Sequence, residues 1–225
     1  MAKKLTQQQH RQIRENQQKH LQNYEQDEDS TSALLPARVI TNYGKSIIAE
    51  LADKQLIRCL PRQNLEQIVC GDNVLIQLLE NGDAVVTAIQ ARDSLLKKPG
   101  FGGKLKPMAA NIDQVVIVMA VQPEPNPYLV DRYLVATENL HADGLILLNK
   151  MDLAEGESTL TRLREEYEKL GYTVLPTSIS DAESMHRLHQ RLNHKTSILV
   201  GLSGVGKSAL INALLPDQNI RVGEV

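Results

Sequence analysis

The octapeptide Gly201-Leu202-Ser203-Gly204-Val205-Gly206-Lys207-Ser208 constrains this chain more than any other stretch, because it matches GxxxxGK[ST] and lies between an apolar run ending at Val200 and another at 209–215. A strand, a glycine turn and a helix in that order make a phosphate-binding loop. Glycines let backbone N–H groups curl around phosphate oxygens with no Cβ in the way, and the helix presents its positive end to them. Lys207 then reaches the β- and γ-phosphate oxygens as a point charge, and the Ser208 hydroxyl ligates magnesium. Such a loop belongs at the carboxyl end of a strand in a doubly wound α/β sheet.

A phosphate loop alone does not choose the base. The tetrapeptide Asn149-Lys150-Met151-Asp152 follows directly on the apolar run 144–148. A carboxylate there accepts two hydrogen bonds from guanine, whose N1–H and 2-amino group are adjacent donors, whereas adenine has neither. Mispairing leaves the carboxylate unsatisfied, which is the kind of penalty that separates two bases by ~10⁴. Asn149 is expected to brace the loop and the base edge, and the Lys150 stem to lie along the ring face. Thr177-Ser178 after the run 172–175 either supplies a backbone N–H to guanine O6 or is an ordinary serine-rich loop.

The remainder of the sheet is written in continuous apolar runs at 114–120, 144–148, 172–175 and 196–200, as parallel strands buried on both faces require. Between them Leu160, Leu163, Tyr167 and Leu170 share a helical face, and Gly171 stands where a C-terminal cap belongs. His186 and His189 lie on a second helical pattern; with no third ligand evident they read as solvent-facing residues rather than a metal pair.

Ahead of this region the periodicity is that of strands. Runs at 38–41, 46–49, 56–60, 73–78 and 84–89 predict five short strands, with Asn81-Gly82 as a hairpin turn before the last. Five strands in so few residues fit an OB-type barrel, an architecture that often binds oligonucleotides. The only Phe, Phe101, lies outside the strands and Trp is absent, so any RNA contact is expected through Arg and Lys on phosphates. The division that results is a disordered polar tail at 1–35, the barrel at 36–95, a basic linker at 96–107 and the α/β domain at 108–225. The tail is either an arm for RNA phosphates or a solubilising extension. The basic stretch running from Arg92 to Lys106, with Lys97, Lys98 and Lys104, either clamps RNA or merely joins domains.

The formal charge of −2 rules out a uniformly basic nucleic-acid binder but not local patches. The two cysteines, Cys59 and Cys70, form no CxxC; each reads as a small buried apolar side chain, in a chain suited to a reducing compartment. No apolar run approaches the ~18 residues needed to span a bilayer, so no membrane partner is expected.

Ordinary GTPases place the phosphate loop before the NKxD loop; here the order is reversed. The barrel, then Ala109-Ala110-Asn111-Ile112-Asp113-Gln114, then NKMD, then Thr177-Ser178, then GLSGVGKS resembles the circularly permuted GTPases of bacteria that depend on the small ribosomal subunit, the RsgA/YjeQ family, over residues 36–225. The resemblance implies an OB domain on 16S rRNA, GTP and GDP bound with magnesium, hydrolysis stimulated by the small subunit, and a cytoplasmic, monomeric factor in late small-subunit maturation. It carries nucleotide binding onto Asn149, Lys150, Met151, Asp152 and Ser178 and onto each residue from Gly201 to Ser208, with Lys207 and Ser208 serving catalysis. It also implies a C-terminal zinc domain, for which this chain has no ligands. No switch threonine and no DxxG follow Ser208, so the sequence reads as ending before the switch loops, which predicts weakened hydrolysis. The alternatives are a non-catalytic rRNA-binding module whose GTP site only regulates ribosome affinity, and a nucleoside kinase, disfavoured by Asp152.

Overall fold

Alternating side chains close the first set of strands into a barrel. The structure is a computed structural model that describes residues 34–62, 65–79, 84–100, 103–153 and 157–215. It contains β1 (Leu34–Asn42), β2 (Ile47–Leu51), β3 (Leu56–Pro61), β4 (Asn73–Leu78) and β5 (Ala84–Ile89), closed in the order β1-β2-β3-β5-β4. Only β3 and β5 pair in parallel; the other neighbours are antiparallel. That connectivity is the OB type. Val39, Ile47, Ala49, Cys59, Val74, Ile76, Ala84 and Val86 fill the interior, and burial pushes the Cys59 thiol up to about 11. Cys70 departs from the expectation of burial. It sits in the turn before β4 with its carbonyl bonded to the Ala110 N–H at 2.9 Å and its side chain exposed.

Arg92 is also placed differently from the basic stretch that the sequence predicted. Its Nε donates to Asp72 Oδ1 at 2.6 Å and its Nη2 to Asp72 Oδ2 at 2.8 Å and to the Gln67 carbonyl at 2.8 Å. The Asp72 side chain is fully buried and also accepts the Val69 N–H at 2.8 Å. Arg92 is thus committed to the barrel and not to an RNA phosphate. Beyond it, β6 (Leu95–Pro99) and β7 (Leu105–Ala110) form a two-stranded ribbon, so most of the expected linker is strand. Lysines and prolines, poor strand formers, conceal it in the sequence.

The α/β unit has four parallel strands in the order β10-β9-β8-β11, with β8 (Gln114–Ala120), β9 (Asp143–Asn149), β10 (Thr173–Pro176) and β11 (Ser197–Val200). Every residue of β8 is buried, as its unbroken apolar run requires. The helices are α1 (Pro127–Leu140), α2 (Glu157–Lys169), α3 (Ala182–Leu192) and α4 (Lys207–Leu214). In α2, Leu160, Leu163 and Tyr167 are buried as expected, but Leu170 is exposed because the helix stops at Lys169. The Gly171 N–H bonds the Glu168 carbonyl at 3.0 Å and the Tyr172 N–H bonds that of Tyr167 at 3.1 Å, the pair of bonds that defines a Schellman cap. His186 and His189 face outward on α3, whose buried residues are Ser184 and Leu188.

β1 begins at Leu34, inside the expected tail. The remainder of that tail, the Asn81-Gly82 turn and the segment 216–225 lie outside the described residues. No described helix is long and apolar enough to cross a membrane.

Candidate functional site

The two motif loops emerge from the carboxyl ends of β9 and β11, strands that flank β8 on either side. Lys150 turns the chain at once with φ 61°, and this lets Asn149 point back into the sheet, 2% exposed. Its Nδ2 donates to the Val205 carbonyl at 2.9 Å. Lys150 Nζ donates to the Gly204 carbonyl at 2.8 Å and to that of Gln122 at 2.9 Å. The tetrapeptide 149–152 and the glycine-rich loop 201–208 are therefore one bonded surface.

Two glycines make the approach possible. A Cβ on Gly206, at φ 94°, would lie 2.4 Å from Asn149 Nδ2, and one on Gly201, at φ 145°, would lie 2.3 Å from the Val118 carbonyl oxygen. Both distances are far inside van der Waals contact, and both φ values belong to glycine. Val205 is buried in the core beneath, while Leu202, Ser203 and Gly204 face outward. Gly206 caps α4, so the helix amides of Lys207 and Ser208 open its first turn. Lys207 Nζ donates to the carbonyls of Gly201 at 3.0 Å and Leu202 at 2.6 Å, and burial lowers its pKa. An ammonium poised over the loop by neutral carbonyls alone is one that a phosphate can recruit.

Asp152 is held from the other side. The Ser178 hydroxyl donates to its Oδ1 at 2.5 Å, and that bond, more than its own backbone N–H or the Lys150 charge, lowers the Asp152 pKa against an opposing effect of burial. Met151 is fixed by its N–H on the Thr177 carbonyl at 3.3 Å. The amides of Thr177 and Ser178 are not open to a base, however. Thr177 N–H bonds the Leu148 carbonyl at 2.8 Å and Ser178 N–H bonds Ser184 Oγ at 3.1 Å. What Ser178 offers instead is its hydroxyl, bonded to Asp152. The sequence reading also passed over Ser180 and Ser184; the signal was the run of serines after residue 177.

A pH dependence follows from the depressed Asp152 carboxyl. A carboxylate that is stabilised when charged contributes fully above the ordinary aspartate pKa and is lost only as pH falls through the lowered value. Discrimination between GDP and IDP, which share their phosphates, should stay flat from pH 7 down to 5. In Ser178→Ala it should begin to fail at a higher pH than in the parent. Paired titrations continued below pH 5, through the ordinary aspartate range of about 4, check this, and identical profiles for the two proteins there would contradict it.

Among the described residues no group of three or more His, Cys, Asp or Glu is placed to hold a metal ion.

A family model described as RsgA GTPase matches residues 89–225. The small ribosomal subunit biogenesis GTPase RsgA of Hahella chejuensis is 42% identical over 193 residues, covering 83% of this chain and 56% of its own length. RsgA 1 of Vibrio vulnificus is 41% identical over 235 residues, covering 99% and 66%. Among solved structures, YjeQ from Thermotoga maritima aligns with TM-score 0.71 at 32% identity over 84% of this chain and 68% of that one. YloQ, a circularly permuted GTPase, aligns with TM-score 0.67 at 29% identity over 83% and 66%. The chain thus spans a little over half the length of the first of these relatives.

Proposed function

Because the chain belongs to the RsgA GTPase family, we propose that it binds guanine nucleotides across the β9 and β11 loops and hydrolyses GTP when docked on the small ribosomal subunit. The observation that carries this reading is the pair of bonds from Asn149 to Val205 and from Lys150 to Gly204, which join segments 56 and 54 positions apart into one site. Asp152 accepts the guanine N1–H and 2-amino group, Lys150 lines the ring face, and Asn149 holds the loop against its neighbour. The amides from Gly204 to Ser208 cradle the phosphates. Lys207 leaves its carbonyl partners for the β- and γ-oxygens. Ser208 would hold magnesium, which would supply positive charge to offset that of the phosphates.

The relatives named for small ribosomal subunit biogenesis support that subunit as the setting; we extend this to its late maturation, with 16S rRNA as the partner, the cytoplasm as the location and a monomer as the acting form. We assign RNA contact to the OB barrel at 36–95 together with the basic stretch at 96–107 that follows it, ahead of the GTPase unit at 108–225. Lys97, Lys98, Lys104 and Lys106, on or beside the ribbon strands with no acidic residue from 94 to 112, are the cations for it.

Titration with fluorescent GDP in magnesium, competed by GTP and by ATP, tests the site. Phosphate release with and without small subunits tests the reaction, for which stimulation on the order of 10³-fold or more is the scale of a GTPase meeting its activating partner. Binding that ATP displaces as well as GTP does would remove the guanine assignment. Tight GDP binding with no subunit-dependent release would leave a nucleotide-regulated RNA binder.

A further inference from the structure

The hydroxyl network behind Asp152 extends one residue deeper than base recognition requires. Asp152 Oδ1 can only accept, so the single Ser178 hydroxyl proton points at it. The Ser180 hydroxyl, 2.7 Å from Ser178 Oγ, must then donate its own proton to that oxygen, which the Ser180 N–H also approaches at 3.2 Å. Ser178 Oγ is thereby saturated. Beyond these bonds, its position depends on where the Ser178 backbone is held.

One side chain bonds both polar groups of that backbone, beside the Asp181 N–H that also bonds the Ser178 carbonyl at 3.1 Å. Ser184 Oγ accepts the Ser178 N–H at 3.1 Å and shares its proton between the Ser178 carbonyl at 3.1 Å and the Asp181 carbonyl at 2.9 Å. Ser184 is 2% exposed and Ser178 5%, so water does not substitute for these bonds. Asp181 is the N-cap of α3 and accepts the Glu183 N–H at 3.0 Å, which makes Ser184 the third residue of that helix, on its first turn. A rigid helix end therefore reaches, through one hydroxyl, both polar groups of the residue that orients the base-reading carboxylate.

We infer that Ser184 is a positioning residue for guanine discrimination, acting through Ser178 on Asp152. This rests on the guanine reading of Asp152 given above. Without the Ser184 hydroxyl the Ser178 N–H loses its partner and the Ser178 C=O keeps only the Asp181 N–H at 3.1 Å, so the 177–181 loop relaxes and Asp152 loses its placement. Guanine is read by two hydrogen bonds whose geometry must hold at once, while hypoxanthine, which lacks the 2-amino group, uses only one. Displacing the carboxylate therefore costs GDP more than IDP.

The test is the ratio of GDP to IDP affinity in the parent chain, in Ser184→Ala, in Ser178→Ala and in the double variant. Ser184→Ala adds no volume and should lower the ratio roughly tenfold, equivalent to about 1.4 kcal/mol. In the Ser178→Ala background the same replacement should leave the ratio where Ser178→Ala has already put it, since two residues acting in one line are not additive. A structural role alone would weaken GDP and IDP in parallel. Parallel weakening, an unchanged ratio, or additive effects in the double variant would each overturn the proposal. A parent chain that binds both nucleotides with no preference would instead bring down the guanine reading of Asp152, and the inference with it.

Discussion

Asp152→Asn is expected to lower affinity for GDP on the order of 10³-fold and to raise affinity for the xanthine diphosphate above it. The carboxylate offers acceptors to both guanine donors. An amide offers one acceptor and one donor, and the donor faces the guanine 2-amino group, so one hydrogen bond is lost and a repulsive pair replaces it. Xanthine carries a carbonyl at that position, and the same amide then matches both groups. The inversion separates a role in reading the base from a role in folding, because a misfolded loop would bind neither nucleotide. Competition of both diphosphates against a fluorescent analogue measures it. Equal loss of the two would place guanine recognition elsewhere.

The second large effect is expected in the barrel. Arg92→Met should remove about 3–5 kcal/mol from its stability, because the Asp72 carboxylate is left charged and without its cation in the interior. That is a large share of what a small domain possesses. The Val69 N–H alone does not offset the charge. Adding Asp72→Asn to Arg92→Met removes the charge while keeping an acceptor for Val69, and much of the loss should return. Trp is absent, so far-UV circular dichroism in urea is the suitable probe. A double variant no more stable than Arg92→Met would show that the pair contributes through packing instead of charge.

These two sites differ in how openly the sequence displays them. Asp152 is announced by its neighbours, since NKMD after an apolar run and GLSGVGKS after another are chemically specific patterns. The strands were equally open: β8 and β9 read as unbroken apolar runs because both faces are covered, and the barrel strands read by alternation. Arg92 was not legible, because a guanidinium among lysines in a basic stretch carries no mark of the buried carboxylate 20 positions earlier that claims it. α1 went unnoticed although Asn126-Pro127 is a capping signal and Val130, Leu134 and Thr137 repeat at helical spacing. Leu170 followed the helical period but fell one residue past a helix that Gly171 ends. The serine network was hidden for a different reason: which hydroxyl meets which amide is decided by the path of a loop, and no local periodicity encodes it. The amides of Thr177 and Ser178, candidates for guanine O6 by position, were claimed by Leu148 and Ser184 for the same reason.

The bond from Asn149 to the Val205 carbonyl has a consequence for the birth of the protein. On a translating ribosome the tetrapeptide 149–152 emerges first, and its buried Asn149 side chain lacks the Val205 acceptor until the chain has grown by the further 56 positions that separate the two residues. At 5–20 residues per second this interval is roughly 3 to 11 s. Throughout it the nascent α/β unit holds only one of the two segments that this bond joins, so a ligand that needs both can act on its folding only after the second has emerged.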